Sequence, residues 1–481
     1  MLTRSILKTF FFFFAIAFLL EPSFVFAARR TGFFVSPDFD FFRREEIAAV
    51  LIKTSPKLYF YVDDRWWLAQ SFEKQRDKIN SLKELDQEFR NRIHPILTKT
   101  FGSEPRPGID KDLRITILIH PMIRKVGGYF HSGDGFFRVQ VPRSNEREMV
   151  YLNAFHIKSP FLRNILAHEF MHLITFNQKD IIRGITEEIW LNDVRAEFTS
   201  FLLGYDDVFE KSLLKQRIRS FLRNPSDSLT EWLGEISDYG VVNLFALYLY
   251  DHYGIAILVD SLHSKKVGIP SINYALKKNG FEQDFSQIFT DWKIALLVND
   301  CEIGSKYCFL SPQLKDLRVV PLTNFLPLVG QGVLSITHTT TDWSANWYRF
   351  IGGHQALRIE FRGSNDFVFN VPYMIEDAGG NLSIGFLELD EQQRGVIYIP
   401  DFNSKNRSFT ILPSAQNKIT GFNGREMAFS FSLTASIEKR TPEQEKELIK
   451  EIVKKIEFLR ELIFQLQAEI ALIMARRARF F

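Results

Sequence analysis

His168-Glu169-Phe170-Met171-His172 fits the HExxH pattern, which sets two imidazoles one helical turn apart with a carboxylate beside the first. That is the spacing of a catalytic zinc site. At i and i+4 both rings project from one helix face, so their nitrogens can reach a single ion at roughly 2.0 to 2.1 Å without distorting the backbone. Glu169, beside the ion rather than bound to it, can take a proton from a water that the metal acidifies and pass it to a leaving amine. Two histidines do not hold Zn2+ firmly, so a third protein ligand must come from elsewhere in the chain, and the fourth position stays open. The competing reading is an accidental match whose histidines merely pack in an amphipathic helix.

The run SPFLRNILAHEFMHLITF predicts the helix that carries the motif. Ser159 suits a cap and Pro160 the first helical position, and Phe161, Ile165, Leu166, Phe170, Leu173 and Ile174 recur at helical spacing. Downstream, TEEIWLNDVRAEFTSFLLGY reads as a second helix with Thr186 as cap, Glu187 and Glu188 in its first turn and Gly204 near its end. Asp193 and Glu197 share a face of it. The interval from His172 to Asp193 lets the first helix finish and a second return alongside, which makes Asp193 the expected third ligand. Glu187 and Glu188 read as ordinary helix-start carboxylates.

Here the chain resembles the gluzincin peptidases, the thermolysin and aminopeptidase N group, in which a glutamate in a WLNE or INE context completes an HExxH site. Trp190-Leu191-Asn192-Asp193 is similar to that element. The resemblance implies Asp193 on the zinc, with Asn192 and Glu197 behind it, each accepting a hydrogen bond from a ligand imidazole. It also implies an oxyanion donor, a Tyr or His from the following helical segment. Tyr239 in SDYGVVNLF is the expected donor, with Tyr248, Tyr250 and His252 as alternatives.

Asp is one methylene shorter than Glu, which leaves three outcomes open: Asp193 binds directly, Glu197 takes over, or the site is weakened. The last would make the chain a non-catalytic surface, adhesion or binding protein on a degenerate peptidase scaffold. More widely, GSEPRPGID, RITILIHP, GGYF and NEREMVYLN precede LAHEFMHLITFNQ in an order similar to hyicolysin-like secreted bacterial zinc metallopeptidases, from about residue 58 to 297. That resemblance implies a zincin-like α+β domain, with a mixed-sheet lobe and a helical lobe, acting on a protein or peptide substrate.

Composition and pattern divide the 481 residues further. Residues 1–27 carry Arg4 and Lys8, an apolar run from Phe10 to Leu20 and a Val25-Phe26-Ala27 ending, which reads as an export signal and predicts a secreted or cell-surface protein. Residues 28–57 read as an N-terminal arm or short pro-region with weak helix character at EEIAAVLIK. Residues 58–310 are the expected metallopeptidase domain: a strand at KLYFYVDD, a long helix from about Ser71 to Phe101, a buried strand at LRITILIH, and short strands at GGYF, GFFRVQVP and MVYLN. Gly127 to Phe130 suits either a substrate-pairing edge strand or an interior one.

Residues 318–438 show short alternating runs bounded by turn residues, the pattern of a β-sandwich, for which contact with a cell surface or wall is one expectation and a purely structural role the other. Within residues 441–478, Ile449, Ile452, Ile456, Leu459, Ile463, Leu466, Ile470 and Ile473 recur at alternating three- and four-residue steps. This is a coiled-coil seam that predicts a homo-oligomer, with dimer and trimer both open; because Leu448, Val453 and Leu462 widen the apolar face, the competing reading is a helix docked on its own chain or on another protein. The two cysteines, Cys301 and Cys308, are expected to form a disulfide. A formal net charge of +3, with no basic stripe interleaved with aromatics, implies no nucleic-acid partner.

Overall fold

The computed structural model describes residues 30–328, 332–422, 424–438 and 442–477. The export signal expected at 1–27 lies outside the described residues. The protein is a mixed α and β structure with several sheets, and it divides into two compact units, Met1–Asn177 and Gln178–Phe481.

The first unit is built on a six-stranded sheet in the order β1-β2-β3-β4-β6-β5. Its strands are β1 (Arg30–Phe34), β2 (Glu46–Thr54), β3 (Leu58–Asp63), β4 (Ile115–His120), β5 (Gly128–Tyr129) and β6 (Met149–Asn153). β3, β4 and β6 run parallel, and β4 and β6 are buried at every position, as strands covered on both faces must be. Between β3 and β4 lie α1 (Phe72–Glu88) and α2 (His94–Phe101), joined by a wide π-helical turn at Phe89–Ile93. The single long helix expected from Ser71 to Phe101 is thus broken in register. Pro95 has no N–H to give the carbonyl four residues back, and the wide turn beside it takes up the mismatch. Helix α3 (Leu162–Phe176) carries the HExxH motif and packs on β5, β6 and the α1–α2 segment, with Phe170 edge-on to Phe89 at 5.0 Å.

Two sequence expectations are corrected in this unit. EEIAAVLIK is not helical: it forms β2, pairing antiparallel with both β1 and β3. Its Glu, Ala and Lys favour a helix locally, but Ile47 and Ala49 turn inward between exposed Glu46 and Ala48, so burial against the sheet decides. The N-terminal arm is therefore part of the sheet, and Asp40 pins the segment beyond β1 through bonds from Arg44 and His120 Nδ1. GFFRVQVP is not a strand but a series of turns, with Phe137 and Val139 exposed.

The second unit begins with helices α4 (Ile189–Leu202), α5 (Leu213–Arg223), α6 (Ile236–Tyr253), α7 (Ala256–Leu262), α8 (Gly268–Lys278) and α9 (Phe285–Val298). α6 is buried along most of its length and packs on α4 and α5. Gly240 permits the close approach to α5, since a Cβ there would lie 2.8 Å from the Arg217 carbonyl oxygen. Cys301 and Cys308 form a disulfide, and the loop they close is held by Tyr248 Oη donating to the Lys306 carbonyl and by His252 Nε2 at the Cys308 carbonyl.

The chain then forms β7 (Leu322–Leu326), β8 (Val333–Thr341), β9 (Tyr348–Gly352), β10 (Ala356–Gly363), β11 (Phe369–Asn370), β12 (Pro372–Asp377), β13 (Leu382–Phe386), β14 (Arg394–Ile399), β15 (Asn406–Ile411), β16 (Ser414–Ala415) and β17 (Ala428–Glu438). They make a four-stranded sheet, β14-β10-β17-β8, and a five-stranded one, β13-β12-β15-β9-β7, with β11 and β16 as a separate pair. Phe350 and Phe409 from one sheet and Ile359, Phe361 and Leu433 from the other share one buried core, so the sheets face each other as a sandwich. The sandwich and the helices of this unit are bonded together: Asn370 Nδ2 and Gln416 Nε2 both reach Thr290 Oγ1 on α9, and Ser228 Oγ donates to the Asp342 carbonyl. The unit ends in helix α10 (Pro442–Arg477), 36 residues long.

Candidate metal centre

Helix α3 begins at Leu162, two residues later than Pro160 suggested, with Ser159 Oγ accepting from the Phe161 N–H just before it. From there the segment through His172 is regular helix, and His168 and His172 stand one turn apart as expected. Their Nε2 atoms are 3.1 Å from each other. Two nitrogens bound tetrahedrally at roughly 2.0 to 2.1 Å would be about 3.3 Å apart, so the pair is set at a ligand-to-ligand separation. Both rings are half-buried, whereas Glu169 is buried, 6 % exposed.

Glu169 lies against the edge of the sheet. β5 pairs antiparallel with β6 and is the outermost strand, so Gly127 to Phe130 supplies an edge and not an interior strand. A Cβ on Gly128 would sit 2.6 Å from the Tyr151 carbonyl and 3.1 Å from Glu169 Cγ, and one on Gly127 would sit 2.9 Å from Ile165 Cδ1. Two adjacent glycines therefore let the edge strand lie directly on the α3 turn that carries Glu169.

Asp193 and Glu197 lie on one face of α4, both buried. They are not equivalent. Glu197 is claimed by Arg217 of α5 through two 2.7 Å bonds, Nε to Oε2 and Nη2 to Oε1, and Asn243 Nδ2 of α6 adds a third at 3.3 Å. A carboxylate neutralised in this way is a poor metal ligand. The ligand atoms of His168, His172 and Asp193, in contrast, all lie within 4.8 Å of one another. Two imidazoles and one carboxylate are a donor set that Zn2+ accepts, and Asp193 is 5 % exposed and so little hydrated. Asn192 Oδ1 is buried without a hydrogen bond, so no imidazole donates to it.

Arg217 went unrecognised in the sequence, yet it organises this part of the second unit. Its guanidinium lies 4.6 Å from the centre of the Tyr239 ring as well as bridging to Glu197. Burial opposes its charge, but Glu197 first, then Tyr239 and Asp193, more than offset that and hold it above the ordinary arginine value. Tyr239, half-buried in the first turn of α6, also packs edge-on against Trp232 at 5.0 Å. Of the alternative donors, Tyr248 and His252 are spent on the disulfide loop, and Tyr250 packs against Phe198 and Phe201.

Thr186, Glu187 and Glu188 depart from their expected roles. Thr186 donates to Asp180, and the helix starts only at Ile189. Glu187 is the centre of a buried charge cluster: Arg195 Nη1 bonds its Oε2 at 2.9 Å, Lys179 Nζ lies 3.4 Å from the same oxygen, and the Gly268 N–H donates to Oε1 at 2.8 Å. Lys179 also donates to the Ser261 and Ser264 carbonyls, while burial pushes its ammonium down to about 8 against the pull of Glu187. Glu188 accepts from Trp190 Nε1 and from the Gly421 N–H of the sandwich. These carboxylates anchor the start of α4, and with it Asp193, to α7, α8 and the β-sandwich.

No family model matches the chain, and no curated protein matches it. Several solved structures are similar to it at low identity. The M60 catalytic domain with two CBM51 domains from Clostridium perfringens ZmpB shares 8% identity over 81% of this chain and 60% of that one, with a TM-score of 0.27. A periplasmic inhibitor of g-type lysozyme, PliG from Aeromonas hydrophila, shares 15% identity over 24% of this chain and 96% of its own, at a TM-score of 0.17. The pre-peptidase C-terminal domain of a Bacillus anthracis collagenase has 9% identity, with 24% and 96% coverage and a TM-score of 0.17.

Proposed function

We propose that this chain is an exported zinc-dependent endopeptidase on a zincin-like scaffold, with His168, His172 and Asp193 as metal ligands. The single observation that carries the reading is the convergence of those three side chains, two of them spaced 3.1 Å apart on the helix that also bears Glu169. Zn2+ in such a site supplies Lewis-acid polarisation of a carbonyl and lowers the pKa of a water. The rest of the chemistry falls to the chain's own residues. Glu169 takes the proton of the attacking water and returns it to the departing amine. Strand β5 offers unpaired main-chain groups to an extended peptide, with Gly127 and Gly128 keeping that edge free of side chains above Glu169. Tyr239, steadied by Arg217, donates to the oxyanion. Arg217 also neutralises Glu197, which leaves Asp193 as the acid for the metal.

The test is Glu169→Gln in the mature protein. Casein cleavage should fall by three orders of magnitude or more, on the order of ~4 kcal/mol of barrier, while zinc content stays at the wild-type level. Unchanged cleavage would remove Glu169 from the mechanism. Absence of cleavage by the wild type, with zinc bound, would favour a binding protein on a peptidase scaffold.

A further inference from the structure

Helix α10 stands in solvent on every side from Ile452 to Ala471. Its seam residues from Ile449 to Ile470 are between 44 and 60 % exposed. An isolated helix in water gains little from propensity alone and is stabilised by covering an apolar face, and a continuous stripe of this length exceeds the exposed apolar patches usual on monomers. We propose that α10 pairs with α10 of a second copy of this chain as an antiparallel two-stranded coiled coil.

The charges flanking the seam select the orientation. With Ile449 at heptad position a, the g positions hold Leu448, Lys455, Leu462 and Glu469, and the e positions Val453, Arg460 and Gln467. In a parallel pair g faces the e position five residues on in the other strand, which sets Lys455 against the partner's Arg460 twice and provides no attractive pair. In an antiparallel pair a residues layer against d residues: Ile452 on the partner's Ile470, Ile456 on the partner's Leu466, and Leu459 on the partner's Ile463. Every seam position then finds an apolar counterpart. That same register brings g against g and puts Lys455 beside the partner's Glu469 twice, with Leu462 on the partner's Leu462 at the two-fold axis. Its one unfavourable contact is Arg460 with the partner's Arg460. Two attractions and one repulsion stand against two repulsions, so the antiparallel pair is favoured. Leu462, which widens the apolar face beyond a strict seam, is covered in the same arrangement.

Light scattering of the full chain should give the mass of a dimer, and Ile456→Lys with Ile463→Lys should give a monomer of unchanged circular dichroism outside the α10 contribution. Ile452→Cys and Ile470→Cys, each oxidised alone, should not cross-link, whereas their mixture should form the hetero-disulfide. Lys455→Glu should weaken the dimer roughly tenfold, and Lys455→Glu combined with Glu469→Lys should return it to within about threefold of wild type. A monomeric or trimeric wild type, self-linking of either cysteine variant, tightening by Lys455→Glu, or capture of a monomer by phosphatidylglycerol vesicles would each overturn the proposal.

Discussion

Arg217→Met tests how the second unit positions its functional side chains. In the native protein Glu197 is 3 % exposed and takes two 2.7 Å charge-assisted bonds from Arg217. Each such bond is worth about 1.5 to 3 kcal/mol, and stranding one partner of a buried ion pair costs about 3 to 5 kcal/mol. Loss of the guanidinium also removes its stack on Tyr239, worth ~1 kcal/mol. Arg217→Met should therefore destabilise the unit by about 4 kcal/mol, and Glu197→Leu by a similar ~3 kcal/mol because it strands the arginine instead. The double variant removes both charges and fills the volume, so its loss should be only ~2 kcal/mol, far below the sum. Guanidinium denaturation of the four proteins, followed by far-ultraviolet circular dichroism and by tryptophan fluorescence, measures the cycle. Additivity to within about 0.5 kcal/mol would show that the pair does not act as a unit and would refute the assignment of Arg217 as the residue that occupies Glu197.

Two further outcomes follow from the packing. Lys293 Nζ makes no hydrogen bond and lies 4.3 Å from the Trp292 ring centre, and burial pushes its ammonium from 10.5 down to about 7 against the weaker pull of Asp227. Between those two values the unfolded chain binds the extra proton, so wild-type stability rises as pH is raised from 7 towards 10.5. Lys293→Met should therefore be more stable than wild type by on the order of 3 kcal/mol near neutral pH, with the gap closing as alkali is added; a gap independent of pH would contradict this. Gly128→Ala forces a Cβ to 2.6 Å from the Tyr151 carbonyl and should lower kcat/KM for casein roughly tenfold or more while leaving zinc content unchanged. Wild-type kinetics in that variant would separate the β5 edge from substrate binding.

The two helices that bear HEFMH and WLND were legible because their signals are local. HEFMH declares its own spacing, and WLND sits within one helix whose apolar period is plain. The sandwich was legible for the same reason, since alternation along each strand needs no knowledge of its neighbours. The misread segments are those where a distant partner decides. EEIAAVLIK has helix-forming composition and becomes β2 because Leu58–Asp63 and Arg30–Phe34 flank it. Glu187 looked like a helix-start acid, but its partners Lys179, Arg195 and Gly268 are brought to it by the fold. Arg217 was overlooked because its partner Glu197 lies twenty residues away on another helix. For Glu187 the available hint was Arg195, a full charge between Val194 and Ala196 in an apolar helix, since a buried charge implies a buried counter-charge.

Metal analysis of the purified mature protein and of Asp193→Ala reaches the central claim most directly. After zinc-replete purification and exhaustive dialysis, the wild type should retain one zinc ion per chain, and Asp193→Ala should retain almost none while keeping its native circular dichroism. Zinc held equally well by Asp193→Ala, or a wild type that holds none, would contradict the assignment of His168, His172 and Asp193 as a single metal centre.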